Sequence, residues 1–198
     1  MATTTAAASH TEPDLYRSII LFAAICGLGL LPVANAVAGT EAIPLVPPQT
    51  RVEFTTYAMG LFPLRGHFER FAGELRLDNA HPADCSVTLN VEVGSLVMAD
   101  PRRAKLALGP KLLDQGAYPQ LLYSGSCGAG GNTGVLTLHG ISKKVDLAVT
   151  RDGEKVAAEG TLHRQDFGID GLPGIIGARI TVTLVVRLPE DIARLIKP

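Results

Sequence analysis

From residue 50 onward the apolar residues of this chain recur with a period of two, which commits it to sheet rather than helix. TRVEFTTYAM puts Val52, Phe54, Thr56 and Ala58 on one face of a strand and Glu53, Thr55 and Tyr57 on the other. GELRLD sets Leu75 and Leu77 against Glu74, Arg76 and Asp78. SVTLNVEVGSL sets Val87, Leu89, Val91 and Val93 against Thr88, Asn90 and Glu92. Each reads as a strand with one wet and one dry face. QLLYSG, TGVLTLHG, KKVDLAVTRD, VAAEGTLHR and ARITVTLVVRL continue the series, punctuated by Asp, Gly, Asn and Pro. About eight short, evenly spaced strands predict an all-β domain, a sandwich or a barrel. An eight-stranded barrel encloses an interior just wide enough for its own side chains or for one small ligand. Alternation alone does not say which of the two fills it.

One segment breaks the rhythm. DPRRAKLALGPKLLDQGAYP, residues 100 to 119, has Pro101 near its start, Ala and Leu within and Gly116 near its end, which predicts a short helical insertion around residues 100–116. Its four cations, Arg102, Arg103, Lys105 and Lys111, admit two readings: a solvated helix face, or a transient contact with an anionic membrane surface.

The N-terminus reads as an address. Residues 18 to 31, SIILFAAICGLGLL, are uncharged and mostly apolar, preceded by Arg17 and followed by small residues at Ala34 and Ala36. That is the layout of a secretory signal peptide, and the run is short of the roughly 20 residues that cross a bilayer. Cleavage after Ala36 or Ala38 would release a periplasmic or secreted protein; the rival reading is an uncleaved anchor. Cys26 falls inside the apolar run, in a poor context for lipid modification. The organisation expected is a signal peptide over 1–36, a Pro-rich leader over 37–49 (EAIPLVPPQ at its end) and one domain over 50–198. Cys85 and Cys127 then remain, in a compartment where disulfides persist; a single bridge and two free thiols both stay open.

Composition narrows the partners. A net charge of -1 with no basic stripe gives no footprint for a phosphate backbone, so nucleic acid is not expected. Trp is absent and aromatics are 5% of the chain, which leaves few rings for stacking bases or sugars. The histidines, His10, His67, His81, His139 and His163, form no HxH, HxxxH or HExxH pair, so no metal site and no cofactor are expected. HRQDFGID gathers His163, Arg164, Asp166 and Asp170, but no nucleophile motif accompanies them. The structural reading pairs Arg164 with Asp166, two residues apart on one strand face, and no catalytic residue is assigned.

Several stretches, in chain order, resemble the YceI-like family of exported lipocalin-like proteins: RVEFTTYAMGLFPLRGHFERFAGELRLD, NVEVGSLVM, LLDQGAYPQLLYSG, GVLTLHGISKKVDLAV and RQDFGI. They span nearly all of the chain after residue 50. The resemblance implies a single antiparallel lipocalin-like barrel, a lumen that holds a long isoprenoid-type lipid, and a binding or carrier role without catalysis. Gln49 and Ala58 stand where the family's first strand often has histidine, and the usual Trp is missing, which weakens any polar head-group contact. The inward positions then expected to meet ligand are Val52, Phe54, Ala58, Phe68, Leu89, Val91, Leu122, Leu136, Leu138, Val182 and Leu184. Buried methylenes contribute about 0.8 kcal/mol each, so a long apolar chain needs little polar help. An envelope interaction protein with a filled barrel is the alternative, and a homodimer is left open.

Overall fold

All eight strands expected from the alternation form, together with three that were not anticipated. The computed structural model describes residues 40–78, 85–128 and 131–195; the signal peptide expected over 1–36 lies outside them. Eleven strands make one antiparallel sheet: β1 (Thr40–Pro44), β2 (Thr50–Ala58), β3 (Phe62–Phe68), β4 (Phe71–Asp78), β5 (Cys85–Glu92), β6 (Leu96–Met98), β7 (Gln120–Gly128), β8 (Gly131–Leu138), β9 (Ile141–Asp152), β10 (Lys155–His163) and β11 (Arg179–Arg187). Helix α1 (Pro101–Ala107) falls inside the expected insertion, and α2 (Glu190–Leu195) follows the last strand.

The all-β barrel with a helical insertion is therefore the fold, with a larger strand count than the sequence suggested. The strand order runs β1-β4-β5-β7-β8-β9-β10-β11-β2-β3-β6. The sheet curls into a barrel wall, yet β1 and β6 stand at opposite ends of that order rather than closing a hydrogen-bonded ring. Both end strands are short, which limits the edge they offer to other chains. Strand β9 drives the curl: Ile141 to Leu147 pair with β8, and Ala148 to Asp152 pair with β10. At the opposite seam β3 runs on through Glu69 and Arg70 into β4, and Glu69 N–H donates to Ser95 O at 3.2 Å while Glu92 N–H donates to Arg70 O at 3.0 Å.

Local chemistry sets the turns. Met59 and Gly60 both have positive φ, 51° and 72°, between β2 and β3, as do His139 and Gly140, 52° and 74°, between β8 and β9. Two left-handed central residues are the hairpin turn whose twist matches that of the strands. Asp100 caps α1 by accepting from Arg102 N–H at 2.9 Å, and Pro101 opens its first turn without wasting a donor.

The core runs along the concave face of the sheet. Leu77, Val87, Leu89, Val91, Tyr123, Leu136 and Leu147 fill it on the side of β4 to β9, and Phe68, Leu162, Phe167, Ile169 and Val186 on the other. Thr40–Pro44, expected as leader, is instead an edge strand against β4, and Leu45 just after it is fully buried. Cys85 and Cys127 are bonded, their Cα atoms 4.9 Å apart. The β5–β7 register, which pairs Ser86 with Ser126, makes them the next opposed positions.

Candidate ligand-binding site

The concave face does not fill completely. Between the β2, β3, β10 and β11 wall and the segment from α1 to Leu113 lies a cavity of about 420 Å³. Strand alternation supplies its floor: Phe54, Thr56 and Ala58 from β2, Phe62, Leu64 and Phe68 from β3, Leu162 from β10, Ile180 and Val182 from β11. Leu121 and Leu138 extend it on the far side. Its roof is the insertion, through Leu106, Ala107, Leu112 and Leu113, and the loop after β10, through Ile169, Ile175 and Ile176. The cavity is not closed: Met59, Phe62, Leu106 and Ile175 in its lining are exposed. A wider concavity of about 730 Å³ lies on the other face of α1, between Leu96, Met98, Lys105 and Gln115, but it is shallow and open to solvent. The apolar, more enclosed cavity is the better ligand site.

Polar groups in the wall are few. Thr56 is buried and its hydroxyl donates to Arg179 O at 2.8 Å. Arg103 reaches the rim from α1. Arg164 is 1% exposed and carries no carboxylate partner among the described ion pairs. Its Nε donates to Gly177 O at 3.1 Å and one terminal nitrogen to Ile176 O at 3.3 Å, while the other donates to Ile169 O. The expected Arg164–Asp166 pair is thus corrected. The chain leaves the strand at His163 into a 3-10 turn, Arg164–Phe167, which sends Arg164 inward and leaves Asp166 in solvent. Arg164 instead ties the loop that roofs the cavity to the end of β10.

Of the eleven positions expected to meet ligand, Phe54, Ala58, Phe68, Leu138 and Val182 lie in the cavity wall. Leu89, Val91 and Leu136 are buried in the core beside it, and Val52 and Leu184 pack half-buried against that core. Leu122 is corrected: it is 42% exposed on the outer face, because β7 turns Leu121 and Tyr123 inward. A shift of one residue in facing accounts for the difference. Ile180 and Leu162 went unnamed although they share the alternation of Val182 and of VAAEGTLHR. Leu112, Leu113, Ile175 and Ile176 come from segments without a strand period, so no pattern marked them. Among the described residues, no three His, Cys, Asp or Glu side chains gather as a metal site would need.

Comparison with known proteins bears on the family and the fold. The model of the YceI-like domain matches residues 44–188. A UPF0312 protein of Pseudomonas putida is 28% identical over 182 residues, covering 83% of this chain and 94% of the relative. A UPF0312 protein of Pseudomonas syringae pv. tomato is 28% identical over 170 residues, covering 78% and 88%. Among solved structures, Burkholderia cenocepacia BcnA superposes with a TM-score of 0.59 at 22% identity, over 69% of this chain and 94% of that one. A polyisoprenoid-binding domain from Saccharophagus degradans, implicated in plant cell wall breakdown, superposes with a TM-score of 0.55 at 14% identity, over 75% of this chain and 100% of that one. The fold is shared with both, and the match over residues 44–188 settles the family: this chain belongs to the YceI-like domain proteins.

Proposed function

We propose that the protein is an exported carrier that holds a long apolar molecule, of polyisoprenoid or similar lipid chemistry, in the cavity of its barrel. The observation that carries this reading is the cavity itself: about 420 Å³ walled almost wholly by aliphatic and phenyl groups, with Thr56, Arg103 and Arg164 as its polar members. Such a wall rewards methylene and isoprene surface and offers little to a polar metabolite. The barrel of the Saccharophagus degradans polyisoprenoid-binding domain supports the ligand class by analogy of fold. The role needs no chemical step and no cofactor. A filled barrel that served only as an envelope interaction module would bury these side chains against one another instead of around a void.

Export is part of the same proposal. The apolar run 18–31 behind Arg17, with small residues at Ala34 and Ala36, supports a cleaved signal and a periplasmic or secreted protein. The Cys85–Cys127 bond supports an oxidising compartment. Native mass spectrometry of gently purified protein, followed by organic extraction, tests the carrier. A discrete added mass that extracts as an isoprenoid lipid is the expected result. An unshifted mass that persists after incubation with a panel of isoprenoids would overturn the reading.

A further inference from the structure

The rim of the cavity is built differently from its wall. Met59, Phe62, Leu106 and Ile175 line the cavity and are all exposed, Met59 to 66% and Phe62 to 61%. Leu61 stands beside them at the tip of the β2–β3 turn, 77% exposed. These residues come from three segments, two of which, the β2–β3 turn and the loop after β10, are bonded to each other. Met59 N–H donates to Ile175 O at 2.8 Å, and Ala58 pairs with Ile176. Met59 holds its side chain outward in a left-handed conformation that L residues disfavour.

Cations flank this apolar rim. On α1, Arg102 and Arg103 precede Leu106 by four and three residues, so all three share one side of the helix. Both arginines are exposed. Asp100 offsets part of their charge, with its carboxylate 3.6 Å from the Arg103 Nε, but with Lys105 and Lys111 the segment carries four cations against Asp100 and Asp114 and stays net positive. A ring of exposed apolar side chains around an apolar cavity, edged by arginines, is the arrangement of a surface that dips into a bilayer with anionic head groups.

We propose that this rim docks the protein, mouth down, on an anionic lipid bilayer, with Leu61, Phe62 and Leu106 among the acyl chains and Arg102 and Arg103 at the phosphates. A lipid then passes between bilayer and cavity without crossing water; for that purpose, though not for the docking itself, the proposal rests on the carrier reading. The chain has no tryptophan, so Leu61→Trp places a single reporter at the turn tip of the full chain. Val149→Trp is the control. Val149 is exposed on β9, in the register row of Ala158, Leu184 and Val52, about 20 Å along the strands from the turn.

With vesicles of phosphatidylcholine and phosphatidylglycerol, Leu61→Trp emission is expected to shift to shorter wavelength and to be quenched by brominated acyl chains, while Val149→Trp is not. Adding Arg102→Gln to the reporter is expected to weaken vesicle partitioning by about fivefold at low salt. Arg102 does not line the cavity, so ligand retention stays unchanged. No response from Leu61→Trp, or an equal response from both reporters, overturns the docking; a partner protein as the true occupant would give the first result. Extraction of the same preparation separates the two ideas: isoprenoid in the cavity beside a silent Leu61→Trp overturns the docking alone, and a responsive reporter on a protein that takes up no lipid overturns the carrier reading alone.

Discussion

The rings of Phe54 and Phe68 meet in the cavity wall with centroids 6.2 Å apart and planes tilted by 43°. Gly66, opposite Phe54 in the β2–β3 register, makes that arrangement possible, since a Cβ there would lie 2.6 Å from Phe54 Cε1 and 3.0 Å from Leu96 Cδ1. Gly66→Ala must push the Phe54 ring toward the cavity. The expected cost is about 1–3 kcal/mol of overpacking, read from the urea midpoint, together with a smaller extractable ligand load. Unchanged stability with unchanged load would show that the ring gives way elsewhere.

Tyr123 presents the opposite problem, a buried polar atom with nothing among the described residues to bond. Among the described residues its hydroxyl has no hydrogen-bond partner, and its ring lies over Gly125 and Gly134, a facing pair on β7 and β8 where added Cβ atoms would come too close to the ring. Burial, with a smaller contribution from the Asp146 carboxylate, raises the phenol above its ordinary value. A raised pKa in the folded state means that stability is intact below pH 10 and falls as pH climbs from there through the folded value. Tyr123→Phe is expected to gain about 1–2 kcal/mol at neutral pH and to lose part of the alkaline decline. Thermal melts from pH 8 to 11 check both, and a destabilised phenylalanine variant would mean that the hydroxyl is satisfied in solution.

How far these features were legible in the chain depends on the signal each leaves. The eight strands with clean alternation were readable because one face is wet. β1 was hidden by its Pro-rich surroundings, β3 by Pro63 and Gly66, and β6 by having only Leu96–Met98. The cavity floor followed from alternation, as Phe54, Ala58 and Val182 show, but Leu122 shows that facing is fixed only once the register is known. The roof was invisible, because Leu113 and Ile176 lie in segments whose shape is set by backbone hydrogen bonds rather than by a period. Arg164 was misread for the same reason: two residues apart means one face only while the chain remains a strand.

Cys85 and Cys127 close a loop with a sequence separation of 42. Chain-entropy arguments give such a crosslink about 4 kcal/mol, acting through the unfolded chain. Replacing both with serine is expected to lower the urea midpoint by that order, and reductant should no longer affect the variant. The cavity lies toward the other strands, so ligand load per folded molecule stays as it was. A double variant as stable as its parent would mean that the bond adds strain equal to what it removes in entropy.

Arg164 links stability to the cavity most directly. Its guanidinium supplies hydrogen bonds to the carbonyls of Ile169, Ile176 and Gly177, which lie in the loop that roofs the cavity. Arg164→Met keeps the aliphatic stem but leaves these carbonyls without their charged donor, at a cost of about 1–3 kcal/mol for each that stays buried. A loss of at least 3 kcal/mol is therefore expected, with faster hydrogen exchange in residues 168–177. Arg164→Lys is expected to recover only part of it, because one ammonium cannot reproduce a planar fork aimed at three acceptors. Because Ile169, Ile175 and Ile176 hang from the same loop, ligand should dissociate faster from Arg164→Lys even where that variant is fully folded. Ligand release at the parental rate from a folded Arg164→Lys would mean that the loop keeps its place without the fork, and that the arginine serves the fold alone.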